Sequence, residues 1–224
     1  MENLPIVVQL LFGICVFYSM WFFYLASKKN QKALYIILAL IGIQSILGLL
    51  GFYTITLGLP PRFILLPLPP LLLIVWLLLR KSQQAFINGL SMKHLILLHV
   101  VRIPVEIVLY LLSCYKVVPT IMTFEGWNFD ILSGISTLPV YYLYQRQKIG
   151  PKTLWIWNVI CLVLLINIIG IAVLSAPFPI QQLAFEQPNI AVLYFPFNLL
   201  PGFVVPLVLF AHLAAIKKLR IEKK

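Results

Sequence analysis

A chain of 224 residues that is 62% hydrophobic and only 10% charged, with a mean hydropathy of +1.00, excludes an ordinary soluble domain, in which about a quarter of residues carry charge. The formal net charge of +11 does not point to nucleic acid, because the basic residues sit in short clusters between long apolar runs. The chain is expected to use lipid as its solvent, and runs of about 20 apolar residues suit α-helices crossing roughly 30 Å of hydrocarbon.

Seven runs read as transmembrane helices, at 4–26, 33–57, 63–79, 94–114, 129–144, 153–176 and 190–216. The expected fold is an all-α bundle in a single transmembrane domain over 1–224, with a basic cytoplasmic tail at 217–224. The first run lacks a basic leader, exceeds a signal-peptide core in length and ends at Ser27-Lys28-Lys29, so it is expected to remain as an anchor. Prolines fall inside the third run at Pro67, Pro69 and Pro70, and predict a kinked helix. The link "SQQAFINGLSMKH" is read as a short surface helix. Before the fifth run, "YKVVPTIMTFEGWNFD" is the most composed outer loop, and Asp130 or Asn128 is expected to cap the helix after it. Gly134 and Pro139 interrupt that helix, and Pro196, Pro201, Gly202 and Pro206 interrupt the seventh. "FILLP" at 63–67 resembles "FNLLP" at 197–201, which raises a three-plus-one-plus-three repeat. No comparable match relates helices one and five or two and six.

Charge sets the expected orientation. With alternating loops, fourteen of the seventeen Lys and Arg residues fall on one side: Lys28 to Lys32, Arg80 to Lys93, Arg146 to Lys152 and Lys217 to Lys224. That bias predicts the amino terminus outside and the carboxyl terminus in the cytoplasm. Glu2, Glu125, Asp130 and Glu186 fall on the outer side. A plasma membrane, or a bacterial inner membrane, is the expected location.

The fourth run carries the chemistry. In "HLILLHVVRIPVEIVLYLLSC", His99, Arg102, Glu106, Tyr110 and Ser113 recur at intervals of three and four and share one helix face. A charge at mid-helix costs roughly 2.5–3.5 kcal/mol to insert, so Arg102 and Glu106 together consume about what the apolar residues of the helix return. Their face therefore needs protein or water. Arg102 and Glu106 are i and i+4 and can pair, although Arg first is the weaker order. Candidate neighbours are Gln44, Ser45, Ser133, Ser136, Thr137, Asn158, Asn167, Tyr194 and Asn198, with Gln44, Asn167 and Asn198 as supporting residues.

Two readings of this face stand together. In one, His99, Arg102, Glu106 and Tyr110 line a substrate or proton pathway, with Glu106 carrying a proton or cation and Arg102 tuning it or holding an anionic group. In the other, Arg102 and Glu106 form a fixed bridge locking the helix into the bundle. The functional expectation is a small secondary transporter or proton-linked carrier; the alternative is a seven-helix ligand sensor or an accessory subunit of a membrane complex. Expected partners are the lipid bilayer, a small-molecule or proton ligand, and a second copy or a membrane subunit. No cofactor, metal or nucleic acid is expected. His94 and His99 are badly spaced for one metal, and His212 reads as interfacial. Cys15, Cys114 and Cys161 fit no disulfide framework. No nucleophile motif or catalytic carboxylate pair stands out, which argues against an enzyme. The plan is similar to that of opsins, receptors and small sugar-type transporters, but 190–216 holds no Lys for a retinal Schiff base.

Overall fold

The computed structural model describes residues 4–56 and 61–221, which form helices and connections without a strand. α1 (Ile6–Ala26) buries Val8, Phe12, Cys15, Ser19 and Phe23 at helical intervals. Its opposite stripe of Val7, Leu10, Ile14, Phe17 and Trp21 is exposed, as a lipid-facing helix requires. The helix stops where the Ser27 hydroxyl donates to the Tyr24 carbonyl at 2.9 Å and Lys28 and Lys29 turn left-handed. Asn30 then caps α2 (Gln31–Leu49) by accepting from the Ala33 N–H at 3.2 Å. α2 ends short of 57: Gly51, at φ +66°, closes its last turn, and Phe52–Thr54 form a 3-10 turn.

Proline decides where α3 (Leu68–Leu79) begins. Pro67 sits at its cap and Pro69 and Pro70 in its first turn, where no backbone N–H is needed. These residues start the helix instead of kinking it, so the expected start at 63 becomes a 3-10 turn over Arg62–Leu65. At 12 residues, α3 is too short to cross hydrocarbon unaided. The chain then bends by 87° into Lys81–Gly89, which contains α4 (Gln84–Gly89) with Ile87 fully buried.

The fourth run is α5 (Met92–Leu98), a 3-10 turn at His99–Val101 and α6 (Arg102–Cys114). Pro104 accounts for the tightened turn, since it offers no N–H to the Val100 carbonyl and its ring crowds that oxygen. α7 (Ile131–Gln145) and α8 (Pro151–Leu174) follow the fifth and sixth runs. The seventh does not form one helix from 190. It contains a 3-10 turn at Ala191–Leu193, a π-helical turn at Leu200–Val204 and α9 (Val205–Ile221). Pro201 and Pro206 each lack a donor, and the wide turn lies where the regular ladder fails.

Among the described residues five segments are long and apolar enough to cross a membrane: Ile6–Ala26, Gln31–Leu49, Met92–Cys114, Pro151–Leu174 and Leu200–Arg220. A sixth follows if α3 and α4 count as one bent span. α5–α6 and α9 form the centre, with α1 against α5 and α6, α7 against the same pair, and α3 and α8 against α9. Lys217, Lys218 and Arg220 of the expected tail are helical, and Lys218 Nζ donates to the Asn88 and Leu90 carbonyls at 2.9 and 2.7 Å, closing the end of α4. Glu2, Leu57, Lys223 and Lys224 lie outside the described residues.

Candidate functional site

The 3-10 turn and α6 bring His99, Arg102 and Glu106 into the bundle centre, each with 3% or less of its surface exposed. Arg102 does not pair with Glu106. Its Nη1 lies 3.2 Å from Asp130 Oδ1, the one ion pair among the described residues. Nη1 and Nη2 also donate to the Cys161 carbonyl of α8 at 3.4 and 3.5 Å. Asp130 therefore makes no side-chain capping bond to α7; it reaches inward to the guanidinium, a partner from another element that avoids the weaker Arg-first geometry along one helix.

Glu106 is held separately. Its Oε1 accepts from Asn128 Nδ2 at 2.6 Å, and the same amide nitrogen donates to the Met122 carbonyl at 2.9 Å. Asn128 Oδ1 accepts from the Asp130 N–H at 3.0 Å. One loop thus supplies the partner of Glu106 and orients the partner of Arg102. Glu106 Oε2 is buried with no hydrogen-bond partner.

In the 3-10 turn between α5 and α6, His99 stacks on His212 of α9 with centroids 3.9 Å apart and planes 14° apart. His212 Nδ1 lies 2.9 Å from Asn158 Oδ1, and Trp157 meets the His99 ring edge-on at 5.6 Å. His212, expected at the interface, is fully buried, because α9 is a central helix and turns this face onto α8. Among the described residues no three His, Cys, Asp or Glu side chains come together as a metal ion would require.

The remaining expected residues lie elsewhere. Tyr110 is half-buried and stacks on Phe124 at 5.1 Å, outside the Arg102 cluster. Gln44 and Asn198 form a second polar set: Gln44 Nε2 donates to the Leu66 carbonyl at 3.0 Å, the Tyr53 hydroxyl donates to Gln44 Oε1, and Asn198 Nδ2 donates to the Gln44 carbonyl at 2.8 Å. Gly48 leaves room for that amide, since a Cβ there would stand 2.7 Å from Asn198 Nδ2. Asn167 is exposed and donates to the Trp127 carbonyl at 2.8 Å, tying down the outer loop. Asn128 and Asp130 were visible in the sequence as polar residues beside a helix start, but their inward reach was not, since capping accounts for such residues equally well.

A cavity of about 260 Å³ adjoins the cluster. Glu106, Asp130 and Asn189 contribute to walls that are otherwise apolar, with Leu109, Leu165 and Leu200 among them. A larger cavity of about 400 Å³ lies between α1, α2, α3 and α9, lined by residues including Ile37, Ile74 and Phe203, away from these carboxylates.

The fold and this centre define an all-α bundle of membrane type, with an ionisable cluster buried among its central helices. Residues 63–220 match the family model described as "Domain of unknown function (DUF8737)", and the chain belongs to that family. The matched stretch includes every residue of the Arg102 and Glu106 cluster, while Gln44 and Tyr53 precede it. No curated protein and no solved structure matches the chain.

Proposed function

We propose that this chain is a small proton-linked carrier of seven membrane spans, with its amino terminus outside, in a plasma or bacterial inner membrane. The carrying observation is Glu106: a buried carboxylate with one oxygen held by Asn128 and the other without a partner, on the wall of an intramembrane cavity. Buried ionisable groups facing a cavity between helices are the usual elements of proton and substrate pathways. Arg102 is engaged by Asp130, which leaves Glu106 as the site for a proton or a cargo cation. The charged and titratable groups around it are Arg102 on its own helix, Asp130 before α7 and Cys161 on α8, with His99 and His212 further along.

The topology is supported by where the basic clusters meet. The ends of α1, α7 and α9 and the starts of α5 and α8 surround one polar cavity lined by Lys28, Ser91, Tyr144, Pro151 and Lys218. This sets basic clusters at one end of the bundle, as a cytoplasmic rim requires. The interrupted elements beside the Glu106 cavity, at Leu200–Val204 and at the start of α3, suit a pathway that must open alternately.

A cargo-independent test uses Leu109→Cys, a cavity-lining position one turn from Glu106, in a background with Cys15, Cys114 and Cys161 changed to Ala. In proteoliposomes of known orientation, a membrane-impermeant thiol reagent should label it from both sides. Labelling from one side, or from neither, refutes the carrier and leaves a sensor or an accessory subunit.

A further inference from the structure

We propose that the Glu106 cavity binds a small lipophilic amine, an apolar body with a single ammonium head, taken from the hydrocarbon of the bilayer; this inference deepens the carrier reading by naming its cargo class. The ligand's chemistry follows from what the wall offers. Glu106 Oε2 and Asn189 Oδ1 are both buried and without hydrogen-bond partners, on residues that line the cavity. The Asn189 amide nitrogen is used on the Ala172 carbonyl at 3.3 Å, so its oxygen is the free group. Asp130, also at the wall, accepts no hydrogen bond at Oδ1 and meets only Arg102 there. The cavity therefore presents unsatisfied acceptors, and an ammonium carries three donors and no acceptor.

Charge selects the same class. Arg102 and Asp130 cancel, and among the described residues no Lys, Arg or His lines the cavity. Ionised Glu106 leaves one negative charge, which one proton or one monocation neutralises. Carboxylates and phosphates find no cation at the wall and meet the uncompensated negative charge of Glu106. An amine competing with a proton for Glu106 also gives proton-linked exchange without a further group.

Size and access complete the class. About 260 Å³ falls just under the roughly 300–1,000 Å³ of sites for drug-sized ligands, so the body is small. The walls are apolar, and Leu71, Ile169, Ala172, Val173, Val205 and Leu209 at the rim are only half-buried. Since α3 and α8 each pack against α9, the gap between them is where the cavity reaches the lipid-facing surface.

The test compares three solutes of one shape, cyclohexylmethylamine, cyclohexylmethanol and cyclohexanecarboxylate, by calorimetric titration of the full chain in nanodiscs, with empty nanodiscs subtracted. The amine should bind at least tenfold more tightly than the alcohol, and the carboxylate should not bind. Glu106→Gln should weaken the amine at least tenfold while changing the alcohol little. Ala172→Phe, at the half-buried rim, should fill the cavity and abolish both, so the proposal stays testable if Glu106→Gln fails to fold. Carboxylate binding as tight as amine binding, or amine binding unchanged by Ala172→Phe, overturns the inference. Amine binding without two-sided labelling of Leu109→Cys would refute the carrier and keep the ligand class. Two-sided labelling without amine preference would do the reverse.

Discussion

Asp130→Leu is the sharpest probe of the centre. It removes the carboxylate 3.2 Å from Arg102 and leaves a guanidinium, 3% exposed, with only the long contacts of 3.4 and 3.5 Å to the Cys161 carbonyl. Breaking a buried ion pair from one side costs roughly 3–5 kcal/mol. For a chain of this size each kcal/mol lowers the melting temperature by about 2–4 °C, so a loss on the order of 10 °C is expected. The second change, Arg102→Met in the Asp130→Leu background, should recover most of it, because an apolar pair of similar volume removes the uncompensated charge. Glu106→Gln should cost at most about 1 kcal/mol, since Gln keeps an oxygen to accept from Asn128. Thermal melting of these purified variants and the wild type, followed by tryptophan fluorescence in one detergent, gives all the comparisons. Asp130→Leu melting within about 2 °C of wild type, no rescue by Arg102→Met, or Glu106→Gln as damaging as Asp130→Leu would each refute the pairing. That last result would restore an Arg102–Glu106 bridge.

Three glycines give further checks. A Cβ on Gly126 would stand 2.5 Å from Ile121 Cα and 2.6 Å from the Thr120 carbonyl, both backbone, so Gly126→Ala must displace the loop that holds Asn128; a loss above about 2 kcal/mol is expected. The control Gly42→Ala, with open space around it, should melt at or slightly above wild type. Asn198→Ala removes the bond to the Gln44 carbonyl and should cost about 1–2 kcal/mol, and Gly48→Ala alone should also destabilise by driving its new methyl into the Asn198 amide. The double variant should lose less than the sum of the two, because truncating the side chain at 198 vacates the space that a methyl at 48 needs; additive losses in the same melts would contradict the contact.

Much of the fold was legible because membrane helices obey a local rule. Long uncharged runs must satisfy their own backbone in lipid, so 4–26 and 153–176 became α1 and α8 with small shifts at their ends. Boundaries failed where proline chemistry intervened. Pro67, Pro69 and Pro70 lie within an unbroken apolar run, and hydropathy does not register that they can only begin a helix. Pro201 and Pro206 likewise divide the seventh run into a π turn and α9. The short length of α3 arises in this way, from a helix start that hydropathy does not mark.

The candidate site was legible as a face and not as a set of partners. His99, Arg102 and Glu106 recur at helical spacing and cost too much to leave in lipid, so their burial followed from residue type and period alone. Which groups meet them depends on neighbouring helices. Asp130 and Asn128 arrive from the turn before α7, Cys161 offers a backbone oxygen that residue type does not disclose, and His212 reaches His99 because α9 crosses the centre. By itself, then, the sequence determined an all-α chain of membrane-type apolar helices with charge in its fourth apolar run, because transfer energies and helical period are local properties of residues. Only the tertiary structure decided that Arg102 belongs to Asp130 and that Glu106 is left facing a cavity, because pairing and enclosed space arise from how distant segments pack.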